Sequence, residues 1–577
     1  MNPYVHPKSH VAGLLQSAIR VLAPDASEVV VERPRQVGHG DFACSVALQL
    51  AKALKRSPRD VAQAIVAALP DSEWIDKVEI AGPGFINFTL KPAAWQRLAV
   101  RIIEAGTSYG AGGQGKGERL QVEFVSANPT GPLHVGHGRG AAYGASLANI
   151  LAHAGFNVQR EYYVNDAGRQ MDILALSSWL RYLELCGVLL AFPANAYQGE
   201  YVRTMAQSLK ILHGERYLRP VTDVTAGTPF ADADPEGHID ALIDNAKALL
   251  GEDYAFIHGF VLEDQLGDCR NDLAEFGVSF DAWFSEKTLH ESGLIDRAVE
   301  ALLKHGQIYE QDGALWFRST AYGDEKDRVV RRDNGVYTYF AADIAYHLNK
   351  FERGFGRVID VWGADHHGYV ARVKGALTAA GLDAERLTIA LVQFAVLYRN
   401  GQKASMSTRA GEYVTLRDLR HEVGNDAARF FYVLRKSDQH LDFDLDLAKS
   451  QSNDNPVYYI QYAHARISSV LSGWGGLETD ILDADSALLV HPLEIALLKR
   501  LGEFPEIIDS AARELAPHLV AYYLKDLAAD LHGLYVGCQF LVEDEALRHA
   551  RLLLIAATRK VLSLGLSLLG VNAPDKM

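Results

Sequence analysis

Apolar residues open the chain at helical spacing: Val11, Leu14, Leu15, Ala18 and Leu22 fall on one face of a 3.6-residue repeat. A second helix is predicted through Ala47, Leu48, Leu50, Ala51 and Leu54. Val78–Ile80 and Phe85–Phe88 then form short strands around the turn Ala81-Gly82-Pro83-Gly84. This small α+β unit ends near the glycine-rich stretch Tyr109 to Gly117, whose composition predicts a linker. Leu120, Val122 and Phe124 alternate as in a strand. A loop follows, then a helix from about Gly138 to His153 with Tyr143, Leu147, Ile150 and Leu151 on one stripe. Gly155 suits its C-terminal cap, and a strand begins at Val158. Strand, loop, helix, strand is the opening of a parallel nucleotide-binding sheet.

From about Ser177 to Asp281 the pattern is helical and free of obvious chemistry, which marks an insertion. Sheet-like segments return at Val336–Phe340, Val358–Trp362 and Leu387–Phe394. Beyond about Ser450 helical spacing continues to the end, with Leu493, Leu497, Leu498, Leu501 and Ile508 among the apolar positions of a helix bundle.

Composition narrows the class only a little. The chain has 577 residues, 48% hydrophobic and 22% charged, enough for several globular domains. A net charge of −15 excludes a wholesale cationic coat for nucleic acid but leaves room for a local basic surface. The four cysteines, Cys44, Cys186, Cys269 and Cys538, lack the spacing of a zinc ribbon or a disulfide framework. Reduced thiols in a cytoplasmic protein are expected. The first residues lack the apolar core of a signal peptide, and no run of about twenty apolar residues is present.

Chemistry concentrates in Ser126-Ala127-Asn128-Pro129-Thr130-Gly131-Pro132-Leu133-His134-Val135-Gly136-His137, between the first strand of the sheet and its helix. A helix N-terminus offers unpaired N–H groups and a partial positive charge. Two imidazoles there can donate to phosphates as charge moves onto a leaving pyrophosphate, and Gly136 leaves room for a nucleotide. The histidines could equally cap the helix. A zinc site lacks further ligands. Gly136-His137-Gly138-Arg139-Gly140-Ala141 formally fits a dinucleotide fingerprint, but that fingerprint needs its first glycine directly off the strand, and Ala127 to Val135 intervenes.

Two further segments carry chemistry. A guanidinium is matched by planar carboxylates and an aromatic face, and Tyr339 and Asp343 lie four apart at a predicted strand-to-helix junction. The bland reading of the same residues is an aromatic strand followed by a capping Asp. Trp362-Gly363-Ala364-Asp365-His366-His367-Gly368-Tyr369 follows a predicted strand, where Gly363 admits an adenosine and Asp365 or His366 can bond ribose or substrate.

Together these segments resemble the class I arginyl-tRNA synthetases of bacterial type, over nearly the whole chain. The string from Glu123 to His137 is similar to that family's HIGH-motif region. The resemblance implies a multidomain α/β protein. An N-terminal α+β domain (1–110) would recognise the tRNA D-loop. A Rossmann-like parallel-sheet catalytic domain (118–450) would carry the insertion at about 177–281. A C-terminal all-α anticodon-binding bundle (451–577) would follow. Its implied substrates are L-arginine, ATP with Mg²⁺ and tRNA(Arg), with arginyl-adenylate as intermediate and no structural metal held by the protein. Activation would need bound tRNA, and no editing domain is implied. A monomer away from membranes is expected.

Residue by residue, His134, Gly136, His137, Gly363 and Asp365 would hold ATP. Glu123, Ser126, Asn128, Tyr339, Asp343 and His366 would hold arginine. Phe85 and Asn87 would read the D-loop; Tyr459, Tyr462 and Met577 would lie at the anticodon. The KMSKS loop of the family departs here. Aligned on Met406 and Ser407, which would touch ATP, both lysine positions are lost, to Ser405 and Thr408. Thr130-Gly131-Pro132 before the first histidine offers no replacement lysine, so Lys403 and Arg409 are expected to share the phosphate role. Two alternatives remain: a class I synthetase of another specificity, such as cysteine, and a non-catalytic tRNA-binding paralogue.

Overall fold

A computed structural model describes residues 6–26, 28–34, 36, 38–404 and 413–577. The N-terminal unit packs the helix Pro7–Leu22 through Val11, Leu15, Ala18 and Ile19. Its antiparallel sheet runs Phe42–Cys44, Phe85–Leu90, Ile75–Ala81 in that order. Pro58 occupies the first turn of the helix Pro58–Ala67, whose cap Ser57 accepts a hydrogen bond from the Asp60 N–H. At Gly84 a Cβ would lie 2.9 Å from the Pro58 carbonyl oxygen, so only glycine lets the hairpin turn meet that helix. The predicted second helix is shorter than its apolar spacing suggests: Val46–Leu50 is helical, and turns carry the chain to Lys55 at φ +52°.

The glycine-rich stretch is not a loose linker. The N–H groups of Gly112, Gly115 and Gly117 donate to the carbonyls of His153, Ala154 and Gly155 at 3.0, 3.0 and 2.9 Å. A Cβ on Gly115 would sit 2.3 Å from the Phe156 nitrogen. These glycines serve close backbone approach, lacing the stretch to the end of the Val135–His153 helix.

The central sheet has five strands in the order Leu387–Val392, Arg357–Gly363, Arg119–Glu123, Asn157–Val164, Ala282–Ser285, all parallel. In chain order this is 5-4-1-2-3, so the winding reverses between Arg119–Glu123 and Arg357–Gly363. In doubly wound sheets ligands bind at that reversal, beyond the C-terminal ends of the strands. The helix Val135–His153 crosses the sheet with Gly144 against Phe124, where an added Cβ would come within 2.3 Å of the ring.

Arg169–Leu185 leads into the segment expected as an insertion, which holds the helices Glu200–His213, Pro235–Leu250 and Glu252–Glu275. The predicted strand at Val336–Phe340 is not formed. Thr338 is extended and its hydroxyl donates back to the Val329 carbonyl rather than capping, and a helix, Tyr339–Glu352, opens inside the aromatic run. Only Tyr337 keeps a strand contact, a bridge to Arg331.

The C-terminal part is helical, with Pro456–Trp474, His518–Gly537 and Glu545–Leu568 as its long members. Arg429, buried, donates to the carbonyls of Phe276, Gly277 and Leu569 at 3.0, 3.2 and 3.0 Å. One guanidinium thus ties the end of the insertion to the end of the bundle.

Candidate active site

The histidine loop lies at the reversal point. His134 is the N-cap of Val135–His153, and its Nδ1 accepts from the Gly136 N–H at 3.1 Å. His137 Nδ1 accepts from the His134 N–H at 3.3 Å. The pair therefore caps the helix, as the bland reading allowed, and the capping has a chemical result. With both Nδ1 atoms accepting, each ring proton resides on Nε2, a donor with no partner among the described residues. The rings stack with centroids 3.7 Å apart. Burial, with His134 adding repulsion, pushes His137 down to about 3, and burial lowers His134 too. Two neutral donors thus face a helix N-terminus. Gly136 packs against His134 itself, since a Cβ there would lie 2.8 Å from the ring. Beyond the loop, the Leu416 N–H donates to the Leu133 carbonyl at 2.7 Å and the Val135 N–H to the Val414 carbonyl at 3.1 Å.

Beside this loop is a cavity of about 460 Å³ lined by Glu123, Ser126, Tyr163, Tyr339, Asp343 and Tyr369, among others. The chain enters it under strain. Val125 and Ser126 sit at φ +69° and +42°, a conformation costing about 1–3 kcal/mol per residue. Local bonds hold it: the Ser126 hydroxyl donates to Glu123 Oε1 at 2.9 Å and accepts from the Tyr163 N–H at 3.1 Å. Asn128 Oδ1 accepts from Asn165 at 3.1 Å.

Tyr339 and Asp343 lie one turn apart on the same helix, and neither caps it. Tyr339 is 64% exposed at the mouth, whereas Asp343 is half-buried at the cavity wall, desolvation raising its pKa against the opposing hydrogen bond from Tyr369. Glu123 is already engaged. Lys350 Nζ lies 2.5 Å from its Oε2 and 2.6 Å from Asp360 Oδ1, all three groups buried. Tyr346 donates to Glu161 Oε1 at 2.8 Å, and Arg353 pairs with Glu161 at 2.5 Å.

Sequence reasoning missed this second layer, though a signal existed. Asp343, Tyr346, His347 and Lys350 recur at i, i+3, i+4, i+7, a polar stripe on the buried side of a helix. Glu286 carried no such signal. It is buried, its Oε2 has no hydrogen-bond partner among the described residues, and burial with Asp343 and Asp166 nearby pushes its pKa up to about 7. The cavity is thus backed by an excess of carboxyl groups, suited to a cationic side chain.

On the other side of the reversal, Gly363 ends its strand and leads into the 3₁₀ segment Ala364–Tyr369. A Cβ on Gly363 would lie 2.4 Å from Asp365 Oδ1. Asp365 and His366 are exposed, with His366 Nε2 3.6 Å from Asp365 Oδ2. Lys403 is exposed on the short strand Gln402–Lys403, paired with Tyr398–Arg399. Met406, Ser407 and Arg409 lie outside the described residues.

Of the distal candidates, Phe85 is 40% exposed and Asn87 buried on one strand, and both line a cavity of about 580 Å³ with Arg33 and His39. Tyr459 meets His532 at a tilt with centroids 4.6 Å apart and Tyr462 stacks on it at 6.0 Å, so both rings are engaged within the bundle. Met577 is exposed.

Three sequence-family models match the chain. Residues 8–90 match the arginyl tRNA synthetase N terminal domain, residues 103–183 and 276–442 the catalytic domain of class I tRNA synthetases (R), and residues 460–577 the DALR anticodon binding domain. The catalytic match skips most of the segment expected as an insertion. An arginine–tRNA ligase of Dechloromonas aromatica is 60% identical over 99% of both chains, and one of Nitrosospira multiformis 61% identical over 100% of both. The Thermus thermophilus arginyl-tRNA synthetase structure, 24% identical, shares the fold with a TM-score of 0.74 over 99% of this chain and 100% of its own. Full-length identity near 60%, with these domains in this order, establishes that the chain belongs to the class I arginyl-tRNA synthetase family.

Proposed function

We propose that the protein is an arginine–tRNA ligase. It activates L-arginine with ATP to arginyl-adenylate and diphosphate, then esterifies the 3′-terminal adenosine of tRNA(Arg). The observation that carries this reading is the carboxyl-rich cavity around Asp343, opening beside the histidine loop at the sheet's reversal point. The guanidinium enters toward Asp343 and against Tyr339, while Ser126, Asn128 and His366 orient the amino-acid end. Glu123 contributes charge from behind, through a carboxylate shared with Lys350. ATP lies along Gly363 and Asp365 with its phosphates at the Nε2–H donors of His134 and His137.

An arginine carboxylate oxygen attacks the α-phosphorus, and the bond to the bridging oxygen of the β-phosphate breaks. Pyrophosphate leaves with the negative charge that the two imidazoles and the helix N-terminus stabilise. A ribose hydroxyl of the tRNA then attacks the adenylate carbonyl, and AMP departs. No covalent enzyme intermediate is involved, so catalysis rests on placement and charge stabilisation. Mg²⁺ enters as part of the nucleotide complex; no cluster of metal-ligating side chains occurs among the described residues.

Lys403 and Arg409 supply the cationic charge that Ser405 and Thr408 do not. Phe85 and Asn87 contact the D-loop. Tyr459, Tyr462 and Met577 lie at the anticodon loop. The reading is of a monomer in the cytoplasm, and no helix among the described residues is long and apolar enough to cross a membrane.

ATP–pyrophosphate exchange, run with each amino acid with and without tRNA, tests the proposal. Exchange with arginine alone, dependent on tRNA, is expected; exchange with another amino acid overturns the specificity. Binding of tRNA without any exchange would mark a non-catalytic paralogue. Neutralising Lys403 and Arg409 together is expected to slow adenylate formation, and an unchanged rate removes them from that role.

A further inference from the structure

Asp343 does not stand alone at the wall of the cavity. Its Oδ2 accepts a short hydrogen bond from the Tyr369 hydroxyl, while Oδ1 accepts none among the described residues. Tyr369 is the last residue of Ala364–Tyr369, the segment that carries Asp365 and His366. Its ring is braced on three sides. Phe340 meets it edge-on at 6.2 Å, Trp362 lies 6.0 Å away, and the Arg372 guanidinium sits 4.8 Å from its centroid. Arg372 is itself fixed by Asp324 at 2.9 Å, and Asp324 also receives Arg328 at 2.7 Å on both oxygens. A phenol held this firmly has one free element, its hydroxyl, and that hydroxyl is spent on Asp343.

We propose that Tyr369 is a positioning residue that couples the two substrate sites: its hydroxyl locks the Asp343 carboxylate for the guanidinium and links that contact to the segment presenting Asp365 to the nucleotide. The inference rests on the arginine reading above. A carboxylate turning freely about its last torsion binds a planar fork poorly, because each arrival must first fix the rotamer. With Oδ2 pinned, Oδ1 is presented in one direction. The guanidinium then shares a carboxylate with Tyr369, and whatever it does to that carboxylate is felt at the end of the nucleotide segment. Binding of either substrate therefore favours the other, a reciprocal coupling.

The same bond sets the charge on Asp343. Burial disfavours its ionised form, and the Tyr369 hydroxyl is the largest influence in the opposite direction. His347 and Lys350, on its own helix, support Tyr369, while Glu123 on the neighbouring strand opposes it. Glu286 and Tyr163 interact with it as well, and the charges of Arg372 and Arg328 act on Tyr369. Deleting the hydroxyl raises the Asp343 pKa further, so a larger share of the pocket is neutral at mildly acidic pH.

Tyr369→Phe removes one oxygen and keeps every ring contact. The test is tRNA-dependent ATP–pyrophosphate exchange, varying arginine at several ATP concentrations and the reverse, between pH 6 and 8. A hydrogen bond to a charged group, once lost, predicts a rise in arginine KM of about tenfold to a hundredfold. The rise is larger at pH 6 than at pH 8, and the mutual enhancement of arginine and ATP binding falls toward none. Arg372→Gln, which loosens the brace and keeps the hydroxyl, gives the same changes to a smaller degree. A merely structural role would lower kcat or thermal stability with KM, pH profile and synergy intact, and that result overturns the proposal, as does a wild-type arginine KM in Tyr369→Phe. If the wild-type protein shows no exchange with arginine, the arginine reading falls and this inference with it. Wild-type exchange with an indifferent Tyr369→Phe sinks the inference alone.

Discussion

Lys350→Met is the most informative single change beneath the pocket. Lys350 is fully buried, 2.5 Å from a Glu123 oxygen and 2.6 Å from an Asp360 oxygen, with the Tyr346 ring centroid 4.3 Å from Nζ. At an effective dielectric near 20, each contact represents an attraction of about 6 kcal/mol before desolvation, which costs several kcal/mol per ion. Methionine keeps the stem and removes the charge, leaving two buried carboxylates facing each other. Breaking such an arrangement from one side costs about 3–5 kcal/mol. Hydrogen exchange of peptides covering residues 339–363 reads that loss locally, without requiring one unfolding step for a multidomain chain.

The pH dependence separates this account from a packing defect. Burial alone would lower the Lys350 pKa, but Asp360 and Glu123 raise it above the ordinary 10.5. Its contribution is therefore complete below that value and is lost only as pH rises past it. Asp360, which burial would raise, is instead held below 3.8 by Lys350 and His347, so its contribution disappears only as pH falls through the acid range. Across pH 5 to 8 the contributions of Lys350 and Asp360 themselves are constant. In Lys350→Met the uncompensated carboxyls bind protons more tightly than in the unfolded chain, so the deficit grows as pH rises through that window. A loss below about 1 kcal/mol at pH 8, or one independent of pH, would refute the reasoning.

Other expectations follow from the same structure. His134→Asn and His137→Asn each remove an Nε2–H donor, and each should slow exchange by roughly 10²–10³ with arginine affinity little changed, measured by initial rates. Because His137 is held down to about 3, mainly by burial, folding stability should fall as pH drops from about 6.5 toward 3, where only the unfolded chain takes up the proton; acid titration of the unfolding transition checks this. Gly144→Ala places a methyl 2.3 Å from the Phe124 ring and should cost about 1–3 kcal/mol in thermal or denaturant unfolding. Phe85→Ala should raise the KM for tRNA by about tenfold, the scale of one lost stacking contact, and leave the arginine KM as it was.

How much of this was legible in the residues depends on how far apart the partners lie. Strand, loop and helix around His134 followed from period and punctuation, because those rules act over a few residues. The aromatic run at Tyr337–Phe340 misled for the same reason: β-propensity is a weak prior, and the helix Tyr339–Glu352, packed in the core through Phe340, Ile344 and Leu348, begins inside the run. The glycines at 109–117 misled differently, since a need for close approach and a need for freedom leave the same composition. What no local rule could supply is the pairing of Glu123 with Lys350, 227 positions apart, or of Asp343 with Tyr369 across a helix and a strand. Tyr339 and Asp343 were found as a spacing, but the charge of the pocket they line is decided by Lys350, Asp360 and Glu286, whose roles exist only once the sheet brings their strands and helices together. The polar stripe Asp343, Tyr346, His347, Lys350 shows where the boundary lies. Its period announces a polar group turned inward on a buried helix, and burial of charge demands partners. The identity of those partners is a property of the sheet order alone.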